Sequence, residues 1–503
     1  MADNSAVMSL FNHCPSHIIL NWAFVGIILN HQNKKQLSHA CLVLVHSVML
    51  GGCLSGPDQH EQEAYTIPGS GWDELLPNES GHIVDAGVST GWRKQKIVSP
   101  KSNGLMNPFF DAIPTGDGNV QFVYYNYDGQ LDDKGQFEFN LQHLVWNPQS
   151  NEALLASNTI TTVNHSDHIS LGQDNLNRLY LAYRGGEVKA CNGAKVLADT
   201  MFSVFDGVNW QEYLGAQGYV ERSAGPFENG HAGSNVKLAV DSNANVHMIY
   251  QFMYEGCDAT NFAFPDLFYV HKQPFQFDMD NRQPADIEEQ VSGNDYTTGG
   301  NFQNDTGTIT DLVMDQNDNP VVFYYEQNAT LGKGLFVSYK SNGQWLKEPI
   351  NKDCIVSDVS AATDNGNLYV AYVAQSCDDD TDTRFSLRFA KKELNDQTQP
   401  ATWQDSYLEE GVLVGGLGRH LDMTLDDVGR PVIAYYELAT YGEVELNKLK
   451  LIRFDESWQV SKTLLSQGLQ LGLHNKVWLA QDGKLNVASY SAANSAIYLL
   501  TEN

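Results

Sequence analysis

The side chains of this chain that can move a proton or neutralise an acid fall at recurring places. Histidines and amides open short apolar runs: Asn107 in "LMNPFF", His168 in "SDHISL", His231 in "ENGHAGSN", His420 in "RHLDMT" and His474 in "LHNKVW". Tyrosines and one arginine close the aromatic runs that follow, as in "VYYNYDG" with Tyr125 and Tyr127, "LAYRGG" with Arg184, "MIYQF" with Tyr250 and "AYYE" with Tyr436. Arg222 and Arg419 add cations nearby. Such a mixture suits removal of a carbon-bound proton beside a carboxylate: an Arg neutralises the acid, a His or Tyr takes the proton, and another donor serves the leaving oxygen. The outcome is β-elimination. Hydrolysis by a pair of carboxylates is disfavoured, because these positions offer mainly Asp305 and Glu437. A sialidase-like arginine cluster, a Gly-rich phosphate cradle and a Ser nucleophile elbow are all missing from the sequence.

The elements that must position these residues are written as a repeated phrase. "NANVHMIYQ", "NDNPVVFYYE", "NGNLYVAYV", "GRPVIAYYE" and "DGKLNVASY" each join a tight turn to an alternating apolar strand, and another apolar run precedes each turn. This is a hairpin signal. Third strands such as "DLFYVHK" and "GLFVSYK" follow, and then Trp-led fourth strands such as "QWLKEPI" and "SWQVSKTLL". Inner hairpins start near Asn107, His168, Ser234, Thr306, Ser357, His420 and His474, a spacing of roughly 50 to 75 residues that fits propeller blades with variable loops. The last unit ends after its third strand at "AIYLLTEN", while an orphan Trp-led strand, "GWRKQKIVS", precedes the first. The expected fold is therefore all-β, a seven-bladed propeller of four-stranded antiparallel blades over 91–503, closed by the N-terminal strand. Inner-strand starts and second-strand ends then meet at one mouth of the central channel, which becomes the expected site. His143, in "LQHLVWN" on a third strand, reads as a packed histidine.

Bulk composition narrows the partners. A formal charge of −30 argues against nucleic acid as a partner by bulk attraction. Residues 1–53 read as an export segment with a second apolar stretch upstream. Lys34 and Lys35 precede "SHACLVLVHSVMLGGC", whose ending resembles a bacterial lipobox with Cys53 as the lipidated residue. Residues 54–90 read as a linker. The expectation is an exported chain, secreted or held at the outer membrane through a lipid only, and monomeric. After Cys53, Cys191, Cys257, Cys354 and Cys377 remain, and the propeller topology pairs Cys354 with Cys377 and Cys191 with Cys257. No cofactor is required by the chemistry. Structural zinc using Cys257 and His271, or calcium in "CDDDTD", are the metal alternatives.

The seven units, the turn-strand phrase and the exported acidic chain resemble the sialidase-type-repeat propellers that include the ulvan lyases of polysaccharide lyase families twenty-four and twenty-five. The resemblance covers roughly 91–503 with degenerate motifs. It implies cleavage of an anionic, uronic-acid-containing polysaccharide by β-elimination. In "HSDHISLGQDNLNRLYLAYRGG", Arg184 matches the family's arginine and His168 stands where the family has a tyrosine. Asn107 and Tyr127 stand where it has two histidines. The resemblance thus implies Tyr127, His168 and Arg184 as acid, base and carboxylate neutraliser with exchanged roles, while their places at the expected mouth make Asn107, Arg222, His231, Tyr250, Arg419 and His474 the expected substrate contacts. The alternative from another class is a glycan-binding or scaffold propeller lipoprotein without catalysis.

Overall fold

The computed structural model describes residues 91–98, 105–131, 137–163, 166–189, 196–216, 229–255, 266–273, 287–292, 305–328, 332–341, 343–352, 354–375, 385–393, 402–410, 417–441, 444–456, 458–467, 471–491 and 495–503. Every regular element among them is a strand. They form seven four-stranded antiparallel sheets, six of which use four consecutive strands. In the seventh, Leu471–Leu479, Leu485–Ser491 and Ala496–Glu502 are completed by the first strand of the chain, Trp92–Val98. The pairing runs Trp92 with Glu502 through Lys96 with Tyr498. The inner strands of successive blades touch around the ring, and the innermost strand of blade seven meets that of blade one. The fold is a seven-bladed β-propeller.

The second strand of each blade is packed on both faces by neighbouring blades, which explains why its sequence is nearly continuous in apolar and aromatic residues. All seven residues of Leu485–Ser491 are buried, as are seven of the nine in Asn367–Gln375. Tyr125, Tyr180, Tyr183, Tyr250, Tyr324, Tyr372 and Tyr435 are the fully buried tyrosines of this layer.

The aspartates of the repeated phrase shape the turns. Asp174 accepts the N–H of Leu176 and of Arg178, each at 2.9 Å. Asp241, Asp315 and Asp426 do the same for the residues two and four positions on. The residue before each turn closes lies at positive φ: Asn177 at 61°, Ala244 at 63°, Asp318 at 60° and Gly429 at 78°. An Asx turn with a left-handed residue is the reason for the recurrent Asp and the Asn or Gly after it.

Candidate functional site

Blade two brings a carboxylate, an imidazole and a guanidinium together. Asp167 and His168 form the run-in to the inner strand Ser170–Gln173, and Arg184 lies in the second strand Leu179–Lys189. Asp167 Oδ1 accepts the His168 backbone N–H at 2.7 Å and faces His168 Nδ1 at 3.1 Å. Its other oxygen lies 3.4 Å from Arg184 Nη1. One carboxylate thus holds two of the three residues that the sequence selects for chemistry. A carboxylate can only accept, so Nδ1 carries the proton and Nε2 keeps its lone pair. Burial works to raise the Asp167 pKa, but the His168 ring and N–H together with Arg184 hold it below the ordinary carboxylate value. Side-chain exposure is 37% for His168, 19% for Asp167 and 16% for Arg184, so the imidazole is the accessible member.

Two buried polar atoms beside this group lack hydrogen bonds: Arg184 Nε and Tyr125 Oη. Tyr125 is fully buried and feels the charges of Asp167 and Arg184, while burial drives its pKa far up, so it stays a neutral phenol. Its hydroxyl lies near the Asp167 main chain without hydrogen-bond geometry. Tyr127, expected as the phenol of the set, is half-buried, with its ring tilted against Phe139 at 5.5 Å.

An axial cavity of about 350 Å³ continues from this group and is lined by all seven blades. The sequence-selected His168, His420 and His474 all reach it, with Asn235 and Asn475 beside them. Beside them stand aspartates whose significance the sequence reading missed. Asp111 accepts the Leu171 N–H at 2.7 Å, joining blades one and two. Ser170 accepts the Leu238 N–H at 3.0 Å, joining two and three, and Lys237 pairs with Asp311 at 3.6 Å, joining three and four. Asp311 accepts from Ala361 and Asp358 from Leu421, both at 2.8 Å, and Asp422 accepts from Val477 at 2.7 Å. Lys476 closes the circle, 3.3 Å from Asp111 and 3.4 Å from Asp422. Every blade boundary is stapled at the axis. Burial pushes Asp358 up to about 6 and raises Asp422 as well. Burial opposes the charge of Lys476, but Asp111, Asp422 and Asp311 outweigh it and hold its pKa above the ordinary value.

Backbone irregularity aims the mouth residues. Blades one and three to seven each carry a register shift near the start of the inner strand, for example Met106/Phe110, Arg419/Asp422 and Leu471/Asn475. Bulges of this kind re-aim side chains. Asn235 and His420 sit at φ 51° and 58°, a left-handed conformation that costs about 1 kcal/mol outside glycine. Gly472 at φ 114° has no such freedom to lose: a Cβ there would stand 2.6 Å from the Tyr436 ring.

The remaining expectations sort by packing. Tyr250, expected as a substrate contact, is fully buried in the core and stacked on Phe268, where no ligand can touch it. Glu437 is buried and paired with Lys450 and Lys448, so it belongs to the frame of blade six. His143 is packed, as its sequence context implies: Trp210 Nε1 donates to Nδ1 at 3.2 Å, Gln121 Oε1 lies 2.7 Å from Nε2, and burial lowers its pKa to about 4. Asn107, His231 and Arg419 lie on inner strands by their backbones, and their side chains are outside the described residues, as is Arg222 altogether. Cys53, Cys191, Cys257, Cys377 and the segment "CDDDTD" also lie outside the described residues. Cys354 is buried and disulfide-bonded. The His271 ring is tilted by 36° against that of His247, with centroids 4.8 Å apart. No cluster of three or more His, Cys, Asp or Glu side chains suited to a metal occurs among the described residues.

No family model matches the sequence, and no curated protein matches it. Among solved structures, the polysaccharide lyase Uly1 is similar at 9% identity and a TM-score of 0.47, over 84% of this chain and 94% of that one. An ulvan lyase of family PL25 bound to -[GlcA(1-4)Rha3S]- is similar at 11% identity and 0.46, over 80% and 95%. An α-L-arabinanase from Penicillium chrysogenum complexed with arabinobiose is similar at 12% identity and 0.40, over 81% and 97%.

Proposed function

We propose that this propeller is an exported polysaccharide lyase that cleaves a uronic-acid-containing chain by β-elimination at the blade-two corner of the mouth. The observation that carries the reading is Asp167, a carboxylate gripping both His168 and Arg184. Arg184, with an unpartnered Nε, neutralises the uronate carboxylate and acidifies the proton on the adjacent ring carbon. His168 Nε2 accepts that proton. The released electron pair forms the ring double bond, the bond to the glycosidic oxygen breaks, and Tyr127 returns a proton to the leaving oxygen. The chain's acidity is spread over its surface and does not prevent a local cationic patch from holding an anionic polymer. The reading of residues 1–53 as an export segment supports an activity outside the cytoplasm.

The test is ultraviolet absorbance of the unsaturated uronate product, following the purified protein with ulvan and other uronic-acid polymers. Activity should fall by about 10²–10⁴-fold in His168→Ala and Arg184→Ala. Absence of product on every polymer, with polymer still bound, would replace the lyase by a non-catalytic glycan-binding propeller.

A further inference from the structure

A second cavity, of about 920 Å³, opens where blade seven meets blade one, on the face of the ring away from the mouth. Its walls are the two inner-hairpin turns that follow Pro114 and Leu479, at the far ends of those inner strands, with Pro148 of blade one and Arg93 of the closing strand. The size is that of a small-molecule site, roughly 300–1,000 Å³. Trp478, Leu479, Pro114, Pro148 and Val120 give it an apolar side.

The polar groups around this groove are not all satisfied. Asn486 is 3% exposed and Trp478 6%, and both line the space. Thr501 Oγ1 donates to Asn486 Oδ1 at 2.8 Å, but neither Asn486 Nδ2 nor Trp478 Nε1 has a hydrogen-bond partner among the described residues. Asp482 Oδ1 accepts the Lys484 N–H at 3.2 Å, which leaves Oδ2 as an unused acceptor at the rim. Buried donors are ordinarily paired, so two of them idle around one space mark it for a ligand that accepts. The side-chain charges cancel: Arg93 and Lys484 balance Asp117 and Asp482, and Glu502 is paired with Arg453 at 2.8 Å. That balance selects for neither sign of ion.

We propose that this groove binds an uncharged saccharide, whose hydroxyls accept from Asn486 Nδ2 and Trp478 Nε1 and donate to Asp482 Oδ2. A hydroxyl both donates and accepts, which the mixed set requires, and the C–H face of a sugar ring suits the apolar side. The site is separate from the blade-two corner and does not rest on the lyase reading. It gives the propeller a second hold on a glycan, through neutral sugars.

Indole N–H resonances of the full protein, titrated with methyl rhamnoside, cellobiose and arabinobiose and separately with glucuronate, test this. The Trp478 signal, assigned by its loss in Trp478→Phe, should move saturably with at least one uncharged sugar. Asn486→Ala removes a donor and should weaken that binding by about tenfold. Gln149 is exposed at the rim, so Gln149→Trp obstructs the groove without disturbing the core and should abolish the shift; it keeps the test decisive should Asn486→Ala not fold. A signal moved by no uncharged sugar, tighter binding of glucuronate, or a shift that survives Gln149→Trp overturns the proposal. The uncharged sugars lack the uronate that elimination needs. Failure of the ultraviolet assay therefore leaves the groove standing, and failure here leaves the lyase reading intact.

Discussion

At the scale of single residues, hydrogen-bond polarity fixes what each histidine can do. Asp167 can only accept, which assigns the His168 proton to Nδ1. Asp167→Asn places an amide there that can donate to Nδ1, favouring the other tautomer and capping the base. Activity should drop by about 10²-fold or more, and nitrogen chemical shifts of His168 should report the proton on Nε2; an unchanged tautomer would assign Asp167 a purely structural role. His143 gives an independent case. Trp210 donates to its Nδ1, so protonation sets two donors against each other, and burial holds the pKa near 4. A pKa depressed in the folded state makes the unfolded chain bind the extra proton between about pH 6.5 and pH 4. Stability is therefore full above 6.5 and lost as pH falls through that window, by roughly 3 kcal/mol for this group. Urea melts of the parent and His143→Gln at pH 7 and pH 4.5 isolate the effect. The variant should lose about 2–3 kcal/mol less on acidification, and parallel losses would refute the assignment.

At the scale of elements, the staples between inner strands explain residues that local propensity leaves obscure. The turn aspartates are legible in the sequence, because Asp, a left-handed Asn or Gly, and an alternating strand occur within one short window. Asp111, Asp311, Asp358 and Asp422 are not, since their partners belong to the next blade, 50 to 63 residues onward. For the same reason His168, His420 and His474 can be placed at the mouth from repeat phase alone, whereas the adjoining Asp167 gains its meaning only when Arg184 returns on the second strand. Tyr250 shows the converse: strand-end position suggests the rim, but the neighbouring blade covers it. Asp311→Ala should release two buried N–H groups and leave Lys237 without its partner, at a cost of about 3 kcal/mol. A shift in the urea midpoint equivalent to less than about 0.5 kcal/mol would show that the staple adds nothing to stability.

At the scale of the whole molecule, closure depends on a strand from the opposite end of the chain. Trp92–Val98 covers the edge of Ala496–Glu502, and Ile97 buries its side chain where blades seven and one meet. Arg93 and Gln95 donate to the Pro148 carbonyl of blade one at 2.8 and 2.9 Å, and Asn503 N–H donates to the Gly91 carbonyl. This join was legible from a count: seven inner hairpins, one absent outer strand and one orphan Trp-led strand. Ile97→Asp places a charge in that apolar junction, where it has no counter-charge, at a cost of about 3 kcal/mol or more. The strand should detach before the ring unfolds, leaving Ala496–Glu502 as an open edge that other molecules can extend. Light scattering after size-exclusion chromatography should then show concentration-dependent association of Ile97→Asp, while the parent stays unchanged at the same concentrations. A variant that melts earlier but remains as dispersed as the parent would mean that the N-terminal strand adds stability without guarding the edge.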